Sequence, residues 1–183
     1  MNSPLDQLDD GALVQACLSG RREAFDVVVE RHRRQIYQLC YRFVGNHEDA
    51  SDLAQDVFVR AYRALRGFQG QSALGTWLYR IGVNVCLNRV NAKAPRLEPI
   101  DAVERVDARG EPADVGLMRQ ETALRVRGAI ARLPPKQRAT LILRTYHELP
   151  HEEIAKILGS SVGAVKANFF HALANLKKLL NER

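Results

Sequence analysis

Apolar residues recur every three or four positions over most of the chain, in runs separated by glycine, proline or serine. That period marks amphipathic helix, and no alternating run of strand type interrupts it. The pattern predicts a helix from Asp10 to Leu18, ended by Gly20, and a second from Arg22 to Val44. The inner side of the second carries Phe25, Val28, Val29, Ile36, Leu39 and Phe43, and Gly45 and Asn46 end it. A third helix runs from Glu48 to Leu65. The loop RGFQGQS then leads to a fourth, Ala73 to Val90, with Ser72 offered as its cap. Between Asn91 and Gly116 the period fades, and KAPRLEP, Gly110 and Pro112 predict an extended, mobile connector. Helices resume over Leu117–Arg132 and Lys136–Tyr146, where Pro135 suits a first turn. The fold class is all-α: two small helical domains, 1–91 and 116–183, joined by a linker at 92–115.

The stretch from His151 to Leu180 has the spacing of a helix-turn-helix. A short helix passes through Ile154, Ile157 and Leu158, and Gly159 breaks it at a tight exit. Ser160 and Ser161 offer a hydroxyl to cap the next helix, which repeats apolar residues at Val162, Val165, Phe169, Ala172, Leu176 and Leu179. Ala155, four before the glycine, and Val165, six after it, fall at the seam of two crossing helices. A second helix standing proud of the first in this way can enter a major groove. A plain helical hairpin is the competing reading.

Charge sharpens the choice. The net +6 is uneven: residues 116–183 hold twelve Lys/Arg against five Asp/Glu, whereas residues 1–91 hold eleven against ten. The excess positive charge therefore lies with the helix-turn-helix, as a polyanion-binding module requires. Hydrophobic residues make up 46%, enough for real cores, and no apolar run approaches the ~20 residues that span a bilayer. The start, MNSPLDQLDDGALVQ, is unlike a signal peptide. Cys17, Cys40 and Cys86 stand far apart among apolar neighbours and read as buried thiols of a reducing cytoplasm.

Two features mark the N-terminal domain. In EDASDLAQDVFVRAYRAL, Glu48, Asp49, Asp52 and Asp56 form one acidic stripe with Gln55 beside it. Glu48 and Asp49 suit a first turn, and Asp56 can pair with Arg60, but Asp52 has no such reason. A protein partner with a basic groove would supply one; a solvated face is the plainer account. In ALGTWLYRIGVNVCLNRVN, Leu74, Leu78, Ile81 and Val85 form a core face, and Thr76, Arg80, Asn84 and Asn88 form a polar row flanked by Trp77 and Tyr79. Donor and acceptor edges beside aromatics suit unpaired bases. The preceding loop, with Phe68, Gln69 and Ser72, can cup an extruded base.

With these residues in hand, the chain resembles the bacterial sigma factors of the extracytoplasmic-function group. The segments that carry the resemblance are EDASDLAQDVFVRAYRAL, FQGQSALGTWLYRIGVNVCLNRV, LPPKQRATLILR and HEEIAKILGSSVGAVKANFFHAL, in that order. It implies a region 2 domain over 1–91 and a region 4 domain over 116–183. Asp49, Asp52, Gln55, Asp56 and Phe58 would dock on core RNA polymerase. Phe68, Gln69, Ser72, Trp77, Arg80, Asn84 and Asn88 would handle the melted −10 element. Ser160, Ser161, Gly163, Lys166, Ala167, Asn168, Phe170 and His171 would meet the −35 duplex. The resemblance also implies a cytoplasmic protein of a stress or envelope response, with an anti-sigma factor as inhibitory partner. Asn88 stands where the family often has aspartate, and Asn168 and His171 replace frequent arginines. Two fewer phosphate contacts would flatten the salt slope by roughly two units.

His147 and His151 are four apart, but Pro150 lies between them, so one regular helix is not expected to carry both as metal ligands. The loop glycines follow a helix and form no phosphate fingerprint, and no nucleophile–base set has supporting context. Neither enzyme activity nor a cofactor is expected. A helix-turn-helix regulator that binds duplex DNA without polymerase, and a helical adaptor, remain the competing classes.

Overall fold

The computed structural model describes residues 4–93, 97 and 113–182. The connector expected at 92–115 lies mostly outside the described residues, and at its ends Ala92 closes one helix and residues 113–115 already open the next. After a 3-10 turn at Leu5–Gln7 come α1 (Asp10–Leu18), α2 (Glu23–Val44), α3 (His47–Ala64), a 3-10 turn at Leu65–Gly67, and α4 (Leu74–Ala92). Then follow α5 (Ala113–Ala131), α6 (Pro135–Thr145), α7 (His151–Leu158) and α8 (Val162–Asn181), with no strand among the described residues.

The punctuation is local and physical. Asp9 caps α1 by accepting from the Ala12 amide at 2.7 Å. Gly45 ends α2 at φ 73, a left-handed conformation that an L side chain adopts only under strain. Asn46, read above as part of that ending, belongs to the next helix: its side chain accepts from the Asp49 amide and caps α3. Pro135 occupies the first turn of α6. Ser72 does not cap α4; its hydroxyl donates to the Ala73 carbonyl at 3.3 Å, and Ala73 precedes the helix without a side-chain cap.

In the first half α2, α3 and α4 pack on one another, with α1 against α2. Ile36, Leu39, Phe43, Val57 and Leu78 are essentially sealed from water at their centre. The backbone of α4 runs close to α2, since a methyl group at Gly82 would meet Leu39 at 2.9 Å. In the second half α8 lies against α5, α6 and α7 around Leu143, Ile142, Ile154 and Val165. The halves touch: α4 packs against α7 and α2 against α6. Cys40 and Cys86 are buried as expected, whereas Cys17 is half-buried. Hydrogen bonding to Cys40 and burial together push the Cys86 thiol well above its ordinary range.

Candidate nucleic-acid interface

The acidic stripe of α3 divides once its partners are seen. Asp49 is turned inward. Its Oδ2 accepts from Asn46 Nδ2 at 2.9 Å and its Oδ1 pairs with Arg89 Nη2 at 2.9 Å. The Asn46 and Arg89 hydrogen bonds hold its carboxyl below the ordinary value. Asp49 thus ties α3 to α4. Asp56 pairs with Arg60 at 2.9 Å, one turn on. Asp52 and Gln55 project into solvent, and among the described residues no side-chain contact engages Asp52. Phe58 is only 8% exposed and belongs to the core. Val59 and Tyr62 are 42% and 47% exposed and continue the Asp52–Gln55 face at helical spacing. That spacing was the signal for them.

On α4, Arg80, Asn84 and Asn88 form an exposed row, as the spacing predicted. The row is shorter than expected at its start, because Thr76 donates to Glu153 Oε2 at 2.9 Å. Tyr79 does not flank the row as an available aromatic. It is 7% exposed and its hydroxyl lies 2.8 Å from His147 Nδ1. Burial pushes the Tyr79 phenol up to about 12 and, with Arg42 nearby, pulls His147 down to about 4. Both are neutral at pH 7. Trp77 and Phe68 pack ring to ring with centroids 5.1 Å apart, both partly buried beside the row. Gln69 is exposed and accepts from Gln71 Nε2 at 3.1 Å. Ser72 is half-buried.

The helix-turn-helix is built as its sequence implied. Gly159 takes φ 59, and the Ser160 amide reaches back to the Ala155 carbonyl at 2.9 Å. Ala155 and Val165 are buried in the seam at 6% and 0%. Ser161 accepts from the Ala164 amide at 3.1 Å and caps α8, whose first turn carries no acid. Gly163, Lys166, Ala167, Phe170 and His171 share the exposed face, while Ser160 and Asn168 are half-buried. Phe170 is 70% exposed, the largest exposure among the outward-facing large apolar side chains. An apolar ring there suits a thymine methyl in a major groove. Leu173, 46% exposed on the same stretch, escaped the sequence reading.

The two histidines weighed as metal ligands face different partners: His147 meets Tyr79, and the His151 ring lies against Phe169 at 6.0 Å. Among the described residues no cluster of His, Cys, Asp or Glu is placed to hold a metal ion, and no helix is long and apolar enough to cross a membrane.

The α3 and α4 surfaces fall within one family match and the α8 surface within another. Residues 28–96 match the Sigma-70 region 2 model and residues 123–176 the Sigma-70 region 4 model. The chain is 35% identical to the RNA polymerase sigma-H factor of Pseudomonas aeruginosa, over 96% of each chain. It is 32% identical to the ECF RNA polymerase sigma factor SigW of Bacillus subtilis, over 89% of this chain and 92% of that one. Among solved structures it resembles CnrH in complex with the cytosolic domain of CnrY, with a TM-score of 0.65 and 28% identity over 94% of this chain and 97% of that one. The likeness runs through both halves and supports a transcription initiation factor over a regulator that acts on duplex DNA alone. The chain belongs to the extracytoplasmic-function RNA polymerase sigma factors, non-enzymatic proteins that direct promoter-specific initiation.

Proposed function

We propose a division of labour over three faces: 1–91 binds core polymerase and the −10 element, 116–183 binds the −35 element, and 92–115 tethers them. Asp52, Gln55, Val59 and Tyr62 of α3 dock on the polymerase, with Asp56 at the margin. Arg80, Asn84 and Asn88, floored by Phe68 and Trp77 and edged by Gln69 and Ser72, hold the opened strand. Lys166, Ala167, Asn168, Phe170 and His171 read the −35 duplex, with Ser160, Ser161 and Gly163 at the phosphate. The chain works in the cytoplasm, where its template is. An anti-sigma factor is its inhibitory partner, by analogy with CnrH, whose structure holds CnrY.

The observation that carries this reading is the exposed row Arg80–Asn84–Asn88 on an otherwise well-packed helix. A solvent-facing guanidinium and two amides at every fourth position add nothing to the core, yet they match base edges. With active core polymerase and a cognate promoter, Asn84→Ala weakens strand opening, read by permanganate reactivity, and leaves core binding intact. Loss of core binding with normal opening would refute the assignment.

A further inference from the structure

The first half is nearly neutral as a whole, yet its charge is sorted along the chain. From His47 to Asp56 there are four acids and no Lys or Arg; from Val57 to Leu97 there are seven Lys/Arg and no acid. The border falls inside α3. The outward face of that helix runs through Asp52, Gln55, Val59 and Tyr62, and Arg63 and Arg66 continue it. Arg60 is held by Asp56 at 2.9 Å. Arg63 and Arg66 are exposed, and among the described residues no carboxylate engages either. The helix dipole favours a cation in the last turn, which accounts for Arg63. It does not account for Arg66, which lies beyond α3 in the 3-10 turn Leu65–Gly67.

We propose that Arg63 and Arg66 are a phosphate clamp for the opened strand, placed beside the row that reads its bases. The proposal rests on the reading above, in which α4 and the preceding loop hold that strand. Phe68 follows Arg66 by two residues and packs on Trp77 with ring centroids 5.1 Å apart, so Arg66 starts within about 7 Å of that wall. Gln69, Gly70 and Gln71 are exposed, and a methyl group at Gly67 or Gly70 would meet no atom within 4 Å among the described residues. The loop is therefore open from the arginine side. A base turned into the loop leaves its phosphates outside, where the strand must run on past a rim. Arg80 stands on the row, and Arg63 and Arg66 stand on the rim before the loop. A guanidinium fork matches two phosphate oxygens. Such contacts carry no sequence information, so the clamp holds any opened strand and leaves promoter choice to the row. Charge decides against a polymerase contact here: a basic groove that accepts Asp52 repels arginines further along the same face. The change of sign along α3 is thus a border between a protein face and a nucleic-acid face.

Holoenzyme assembled from core polymerase and the full-length chain tests the clamp. The probe is a cognate promoter duplex premelted over the −10 element, with binding followed by fluorescence anisotropy across a salt series. Each phosphate neutralised on a single strand contributes about −0.7 to the salt slope. Arg63→Gln combined with Arg66→Gln should therefore flatten the slope by about 1.4. Raising salt from about 50 to about 200 mM should then weaken the wild type roughly sevenfold more than the variant. The loss should be equal on cognate and scrambled melted strands, whereas the loss from Asn84→Ala should depend on sequence. Lysine at both positions keeps the charge and should keep most of the slope. Affinity for core should not change. Neutral methylphosphonates set one at a time beside the −10 element should weaken the wild type at the clamped linkages and leave the double Gln variant unaffected there. An unchanged slope, a loss confined to core affinity, or equal methylphosphonate sensitivity in both proteins would each overturn the clamp. If wild-type holoenzyme held the melted strand no better than core alone, the reading of α4 would fall as well.

Discussion

Helices α3 and α8 are built alike and present opposite faces. Each is about the same length, 18 and 20 residues, and each begins at a polar side chain that accepts from the third amide onward, Asn46 in one and Ser161 in the other. They differ in the first turn. That of α3 holds Glu48 and Asp49, so its positive pole is already met by its own acids. That of α8 holds none, so its unpaired amides and positive pole stay open to an anion. One helix satisfies itself and turns spare acid outward, which on the proposed reading meets a basic protein. The other leaves its pole bare, with Lys166 one turn further on, which on the proposed reading meets a phosphate. The same capping device thus leaves an acidic face or a bare positive pole, depending on what fills three positions.

The comparison breaks most sharply if the bare pole of α8 is filled. Ala164→Glu would complete a capping box with Ser161. The helix should become more stable by about 0.5–1 kcal/mol, since a carboxylate in the first turn meets the dipole. Binding of the −35 duplex, followed by fluorescence anisotropy, should fall at least tenfold, because a carboxylate then stands where the phosphate belongs. A tighter-folding protein that still binds DNA normally would show that the pole of α8 is not used.

The counterpart on α3 is Asp52→Arg. Asp52 is exposed and unpaired among the described residues, so the melting temperature should hardly move. Affinity for core polymerase should fall about tenfold, equivalent to about 1.4 kcal/mol, as a favourable charge becomes a repulsive one. The same exchange at Asp56, whose carboxylate already pairs with Arg60, should do less. Equal losses at both would mean that the stripe acts through net charge and not through a docked surface.

Much of this was legible in the chain, and what was not had a common cause. Gly159, Ser161, Ala155 and Val165 act within a few residues of one another, so their spacing alone conveyed the turn, the cap and the seam. The row on α4 was legible because exposed helix faces repeat every fourth residue. Phe58 and Val59 were harder: adjacent residues lie about 100° apart round the helix, and the packing of α3 on its neighbours decides which one is sealed. Ser72 had the right chemistry for a cap one position too early. Tyr79 and Thr76 were lost to the row because the segment before α7 and α7 itself pack there, 68 and 77 residues away in sequence. Arg127 and Arg138 cap a helix 82 and 95 residues upstream of them. No local pattern announces a cap supplied across that separation, and a basic residue in a basic segment reads first as a DNA contact.

The smallest effect isolates what the acids of α3 do for their own helix. Asp49 and Asp52 are three apart on one stripe, yet only Asp49 is held by Asn46 and Arg89. Those partners favour its carboxylate form in the folded chain, so its folded pKa lies below the ordinary 3.8. Unfolded chain therefore binds more protons than folded chain as pH drops through that range. The stability Asp49 supplies is present above about pH 4 and is lost as pH falls through its folded pKa. Asp49→Asn should cost about 1 kcal/mol at neutral pH, the scale of one charge-assisted hydrogen bond, and should flatten the acid limb of the unfolding curve below pH 4. Asp52→Asn should change neither. If the two substitutions gave the same acid limb, the stripe would be electrostatically uniform, and the distinction between an acid that caps a helix and an acid that docks a partner would fail.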